Sequence, residues 1–237
     1  MTPGTIRNMA SSISSSPVQI RCKGVLFDMD GILISSIASV ERSWTKWAEM
    51  RGVDPVETLK MTHGRRAIET VARLRPDLDS EAELKVIEDI EIADNDELTV
   101  LPGVLDLLAA LPPHRWTVVT SATDRLARVR LAQGGIHVPR GLVTADSVSS
   151  GKPDPAPYLA GAALLGFAPQ ECVVFEDAET GVKAGRAAGC TVVATTFSHP
   201  VDSLDAAHYL IEDLTGVKVI TLADNEGLVL NLTRLAQ

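Results

Sequence analysis

The chain has 237 residues, enough for one large domain or a domain carrying an insertion. A formal net charge of -9 repels nucleic-acid phosphates, and no apolar run approaches the length of a bilayer span. Neither a nucleic-acid nor a membrane role is therefore expected. Aromatic residues make up only 4%, so the core must rest on Val, Leu, Ile and Ala. Cys22, Cys172 and Cys190 form no CxxC pair, and they read as buried, reduced thiols in a cytoplasmic protein without disulfides or a zinc site.

Residues 1–20 are rich in Ser, with Pro3, Gly4 and Pro17, and read as a flexible tail. The first strong apolar run is Gly24-Val25-Leu26-Phe27. It is continuous rather than alternating, as in a strand buried on both faces of a parallel sheet. Residues 36–100 then hold three helical patterns and no good strand. Val40, Trp44, Trp47 and Ala48 form the first, Ile68, Val71 and Ala72 the second, and Val86, Ile87, Ile90 and Ala93 the third. The two tryptophans sit at helical spacing beside apolar residues and read as packing residues.

Strand and helix alternate beyond this block. Leu105, Leu108 and Ala109 share a helical face after Pro102-Gly103, and Trp116–Val119 is a strand. Leu126, Val129 and Arg130 lie on the next helix, which Gly134-Gly135 ends. Gly141–Val143 is a short strand, and Asp154-Pro155 opens a helix running through Leu164. Cys172–Phe175, a helix over Val182–Ala188, Thr191–Ala194 and a weaker Tyr209–Ile211 complete the pattern. The expected fold is α/β, a doubly wound, Rossmann-like parallel sheet over 21–35 and 101–237, with an α-helical cap domain inserted at 36–100.

Candidate chemistry gathers at the ends of the apolar strands. Asp28-x-Asp30-Gly31 follows the first, with Gly31 free to turn sharply. Two close carboxylates repel unless a cation or a proton joins them, which suits metal binding with acid/base work. Alone, the motif fits a calcium loop or a plain turn equally well. Thr120-Ser121 ends the second strand, Lys152 precedes a helix, and Glu176-Asp177 ends another strand. An acid pair, a hydroxyl, a lysine and a second acid pair on one rim suit phosphoryl transfer. A metal offsets phosphate charge, hydroxyl and N–H groups hold its oxygens, and a lysine adds a point charge.

This order of residues resembles the four motifs of the haloacid dehalogenase superfamily, together with Leu101-Pro102-Gly103, Gly151-Lys152-Pro153-Asp154-Pro155 and Gly181. It is most similar to the sugar-phosphatase and glycerol-phosphatase branch, in which Trp-x-Val-Val-Thr-Ser and the cap's Thr62-His63-Gly64-Arg65 have counterparts. The resemblance implies that Asp28 is the nucleophile, forming an aspartyl phosphate, and that Asp30 protonates the leaving group and then activates water. It implies Mg2+ bound by Asp28, by the Asp30 backbone carbonyl and by Asp177, with Glu176 acting directly or through water. Thr120, Ser121 and Lys152 would hold the phosphoryl group, Lys152 would also steady the Asp28 charge, and His63 and Arg65, beside Arg66, would read the substrate from the cap. Ile32 and Ser35 depart from the family's usual Thr and Asp, where the chain leaves for the cap. His199 and His208 read as surface or packing residues.

The expected activity is hydrolysis of a small phosphorylated metabolite, a sugar or polyol phosphate, by a monomer or weak homodimer. A sugar-phosphate mutase of the beta-phosphoglucomutase type shares every core motif and is the alternative, and a non-catalytic binding protein on the same fold is a further one. Asp30 and the second acid pair argue against dehalogenation.

Overall fold

Strands and helices alternate from residue 99 to residue 195 of the computed structural model, which describes residues 15–62, 65–94, 98–137, 141–223 and 226–235. In chain order, β1 (Ser15–Cys22), β2 (Gly24–Phe27) and β3 (Ile34–Ser35) precede four helices, α1 (Ile37–Arg51), α2 (Pro55–Leu59), α3 (Ala67–Leu74) and α4 (Ser80–Ala93). β4 (Thr99–Val100), α5 (Val104–Ala110), β5 (Trp116–Val119), α6 (Asp124–Gln133) and β6 (Leu142–Val143) follow. Then come α7 (Ala156–Leu165), β7 (Cys172–Glu176), α8 (Glu179–Ala187), β8 (Thr191–Thr195), β9 (Tyr209–Ile211), β10 (Lys218–Thr221) and β11 (Leu228–Leu235).

The continuous apolar runs form one parallel sheet in the order β6-β5-β2-β7-β8-β9. Both faces are covered, which is why the strands do not alternate. Val25, Phe27, Val118, Val173 and Phe175 point to one core, shared with Val104, Leu107 and Leu131. Leu26, Val119, Val174 and Val192 point to the other, shared with Tyr158, Ala162 and Val182. Phe27 stacks on Phe175 with ring centroids 5.3 Å apart and meets Trp116 edge-on at 6.1 Å. The chain winds outward from β2 in both directions, so the sheet's topological switch point lies at β2, where crevices form beyond strand ends.

The chain leaves the sheet through β3 and returns through β4, which pair antiparallel, Ile34 with Val100 and Ser35 with Thr99. Between them α1–α4 share a separate core of Trp44, Trp47, Ala48, Val71 and Ile87. The two indole rings meet at 5.5 Å and 70°. Trp47 donates its N–H to Glu83 at 2.8 Å, and the Arg51 guanidinium reaches the same oxygen at 2.7 Å. Asp54 and Asp79 cap α2 and α4 by accepting backbone N–H groups.

Several expectations need correction. Residues 15–20, expected in the tail, belong to β1, which pairs along its length with β11. With β10 they make a three-stranded antiparallel sheet whose Ile20, Leu228, Leu230 and Leu232 cover one face of the parallel sheet. The helical block contains the short α2 as well as the three expected helices, and ends in a strand, β4. On α5 the buried residues are Val104 and Leu107, while Leu105 is 55% exposed. Ala72 and Ala93 are exposed too.

Candidate active site

Register brings the strand-end residues level. Phe27 pairs with Val118 on one side and with Phe175 on the other. The residues just beyond are therefore Asp28, Val119-Thr120 and Glu176-Asp177, all on one rim. The Asp28 N–H extends the ladder to Phe175 O at 2.9 Å, and the Thr120 N–H does the same to Val143 O at 2.9 Å. Asp28, Thr120, Lys152, Glu176 and Asp177 are all buried.

Lys152 comes to this rim from the loop before α7. Its ammonium donates to Asp28 Oδ1 at 2.8 Å, to Glu176 Oε1 at 2.7 Å and to Val119 O at 3.1 Å. A lysine has three donors, and all three are engaged. Although burial alone would lower it, the Asp28 and Glu176 carboxylates hold Lys152 well above its ordinary range. Of the two tasks expected of Lys152, this geometry supports steadying Asp28 rather than gripping phosphate.

Glu176 is similarly saturated. Oε1 also accepts from the Tyr158 hydroxyl at 2.7 Å, and Oε2 accepts the N–H groups of Asp177 at 2.9 Å and Ala178 at 3.1 Å. One of its oxygens lies within 4.8 Å of ligand atoms on Asp28 and Asp177. Its four hydrogen bonds, one of them from Lys152, also fix its place on the rim. Gly181 makes room for it, since a Cβ there would stand 1.6 Å from Glu176 Oε1.

Asp28 and Asp177 face the cavity. Burial pushes Asp28 up to about 7, against the pull of Lys152 and helped by repulsion from Glu176 and Asp30. Burial and the neighbouring carboxylates also push Asp177 well above its usual range, while the Ser198 hydroxyl and Lys152 oppose this. Three buried carboxylates against one ammonium leave negative charge uncompensated. All the donors offered are hard oxygens, so the residues fit a small divalent cation of the magnesium type. Gly31, at φ 83°, allows the close approach: a Cβ there would lie 1.8 Å from Asp177 Oδ2.

Asp30 stands at the cavity wall, with its side chain 32% exposed. Its Oδ1 accepts from Ser36 and, at 3.0 Å, from Arg130 Nη1. Thr120 and Ser121 line the cavity, and the Thr120 hydroxyl accepts the Ala122 N–H at 3.1 Å. Of the cap trio, Arg65 lines the cavity, whereas Arg66 turns away to donate to Ser149 O at 3.0 Å. His63 lies outside the described residues.

Sequence reasoning missed Ser36, Glu91, Arg130, Ser198 and His199, all of which line this cavity. His199 is not simply a surface or packing residue: it hydrogen-bonds Ser198, which in turn donates to Asp177. His208 is a surface residue that accepts the Val192 N–H at 2.9 Å. The available signal was an ionisable residue on an apolar helical face. Arg130 recurs with Leu126 on α6, and Glu91 stands one turn beyond Ile87 on α4.

A model of the haloacid dehalogenase-like hydrolases matches residues 22–189. Hexitol phosphatase A of Escherichia coli (strain K12) is 41% identical over 84% of this chain and 95% of its own. The 2-deoxyglucose-6-phosphate phosphatase 2 of Saccharomyces cerevisiae is 35% identical over 87% of this chain and 94% of its own. Among solved structures, a hydrolase from Pseudomonas syringae superposes with a TM-score of 0.73 at 24% identity, over 81% of this chain and 94% of that one, a likeness of fold alone. The match runs through β2 and β7, whose ends carry the buried acids, and through β5, whose end carries Thr120, and by it the chain belongs to the haloacid dehalogenase-like hydrolase family.

Proposed function

We propose that the chain is a magnesium-dependent phosphatase that hydrolyses a small sugar or polyol phosphate, with Asp28 as the nucleophile. One observation carries the reading. Asp28 Oδ1 is tied to Lys152, and the same carboxylate opens onto a cavity shared with Asp30, Thr120 and Asp177. Relatives named for a hexitol phosphatase and a sugar-phosphate phosphatase support the substrate class.

In this reading the tie to Lys152 orients Asp28, and Glu176 with Tyr158 holds Lys152 in turn. An Asp28 oxygen attacks phosphorus, the bond from phosphorus to the substrate oxygen breaks, and Asp30 gives that oxygen its proton. Water then attacks the aspartyl phosphate, Asp30 takes a proton from it, and inorganic phosphate leaves with Asp28 restored as carboxylate. Thr120 and Ser121 hold phosphoryl oxygens through hydroxyl and N–H groups. Asp28, Asp177 and the Asp30 carbonyl would hold magnesium, which supplies charge compensation for an anion attacked by an anion. The helices between β3 and β4 serve as a cap that excludes water, with Arg65 at the cavity. Buried free thiols at Cys22, Cys172 and Cys190 suit a reducing, cytoplasmic setting.

The test is phosphate release from a panel of sugar and polyol phosphates, with magnesium and with a chelator. Release is expected only with magnesium, and Asp28→Asn is expected to abolish it. Isomerised ester without free phosphate would establish the mutase instead, and no turnover of any ester would leave a binding protein.

A further inference from the structure

Arg130 reaches under the cap from α6, and Glu91 descends from α4 to meet it. Both line the cavity above Asp28, and each side chain is only 6% exposed. Arg130 Nη1 is engaged with Asp30, but Nη2 is buried without a hydrogen-bond partner. It stands 3.6 Å from Glu91 Oε1, beyond hydrogen-bond reach. The Glu91 carboxylate accepts no hydrogen bond among the described residues, and this approach by Arg130 is its one close ionic contact. A fully buried donor nitrogen and a carboxylate that accepts no hydrogen bond among the described residues thus face the same cavity, side by side. Native interiors rarely leave a nitrogen such as Arg130 Nη2 open, because it loses its hydration without compensation.

We propose that Glu91 and Arg130 form a specificity-determining pair that reads hydroxyl groups on the substrate's carbon chain. One hydroxyl oxygen accepts from Arg130 Nη2, and that hydroxyl or its neighbour donates to Glu91. The inference rests on the phosphatase reading, in which the bond to be broken lies between Asp28 and Asp30. Arg130 sits on Asp30, so the carbon chain leaving that bond runs toward the pair. A second anionic group is disfavoured there, because Asp30 and Glu91 bracket the guanidinium and leave no net positive charge. Glu91 also lines an adjoining cavity with Leu84, Ile87 and Leu126, whose apolar side chains suit the C–H surface of a polyol chain.

A site built to hydrogen-bond hydroxyls discriminates strongly against an ester that lacks them. The test compares binding of sorbitol 6-phosphate and phenyl phosphate by calorimetry, with magnesium, in the full chain carrying Asp28→Asn so that neither ester turns over. Adding Glu91→Leu is expected to cut the preference for the sorbitol ester at least tenfold. Arg130→Lys, which keeps one charge on Asp30 but has no second nitrogen, is expected to do the same. Unchanged preference in both variants overturns the pair, whatever the absolute affinities. The underlying reading is checked separately with Asp28 intact. If no phosphate is released from either ester, both conclusions fall. If phosphate is released and the preference is unmoved, only the Glu91–Arg130 pair does.

Discussion

The floor and the cap-facing wall of the cavity are built on opposite principles. On the floor every donor of Lys152 and both oxygens of Glu176 are engaged, at 2.7–3.1 Å. On the wall, Glu91 and Arg130 are also buried yet leave a carboxylate and a guanidinium nitrogen without a hydrogen bond among the described residues. A saturated network fixes one geometry, as the placing of a nucleophile demands. An unsaturated one holds free bonding capacity for something that arrives. The contrast separates residues that position chemistry from residues that can select a substrate.

Three variants sharpen or break this contrast, beginning with the largest effect. Asp30 stands between floor and wall, and Asp30→Asn is expected to lower kcat by about 10²–10⁴-fold, the usual worth of positioned proton transfer. Steady-state kinetics check this, and a loss confined to KM would assign Asp30 to binding. Lys152→Met should strip the floor of its cation and leave Asp28 and Glu176 facing each other. Unfolding by urea at neutral pH is expected to register a loss of about 3–5 kcal/mol, as when one partner of a buried ion pair is removed. A loss under about 1 kcal/mol would mean that the floor is not one coupled network.

The smallest effect concerns the wall. Burial pushes Glu91 up from 4.5 to about 7, with Arg130 opposing. The folded state then binds a proton that the unfolded chain has already released between those values. Stability associated with Glu91 is therefore full below about 4.5 and is lost as pH rises through about 7. Glu91→Gln removes this dependence. Its stability relative to the parent chain is expected to rise between pH 5.5 and 7.5, by on the order of 1–3 kcal/mol. Parallel urea titrations of the two proteins would show it, and parallel pH profiles would place Glu91 in a wetter setting than its burial indicates.

The parallel sheet was legible because strands buried on both faces must be apolar at consecutive positions, as Val25-Leu26-Phe27 and Val173-Val174-Phe175 are. The acids were legible because they interrupt those runs at their ends. The antiparallel sheet was not. Its alternation of Leu228, Leu230 and Leu232 is readable in retrospect, but its partner β1 lies at the far end of the chain, in a stretch whose serines favoured a tail. The face of α5 was misjudged because apolar residues surround that helix, and only contact with the sheet decides that Val104 and Leu107 turn inward.

By itself the sequence determined the chain order of the six strands of the parallel sheet, the insertion after the first of them, and the candidate groups at Asp28, Asp30, Thr120, Lys152, Glu176 and Asp177. Local composition and periodicity suffice for these, since each is written within a few consecutive residues. Only the tertiary structure decided that Lys152 and Glu176 spend their hydrogen bonds on the floor, and that Arg130 meets Glu91 beneath the cap. Whether a buried polar group is satisfied depends on what other elements bring to it, and the residue's own stretch of chain carries no record of that.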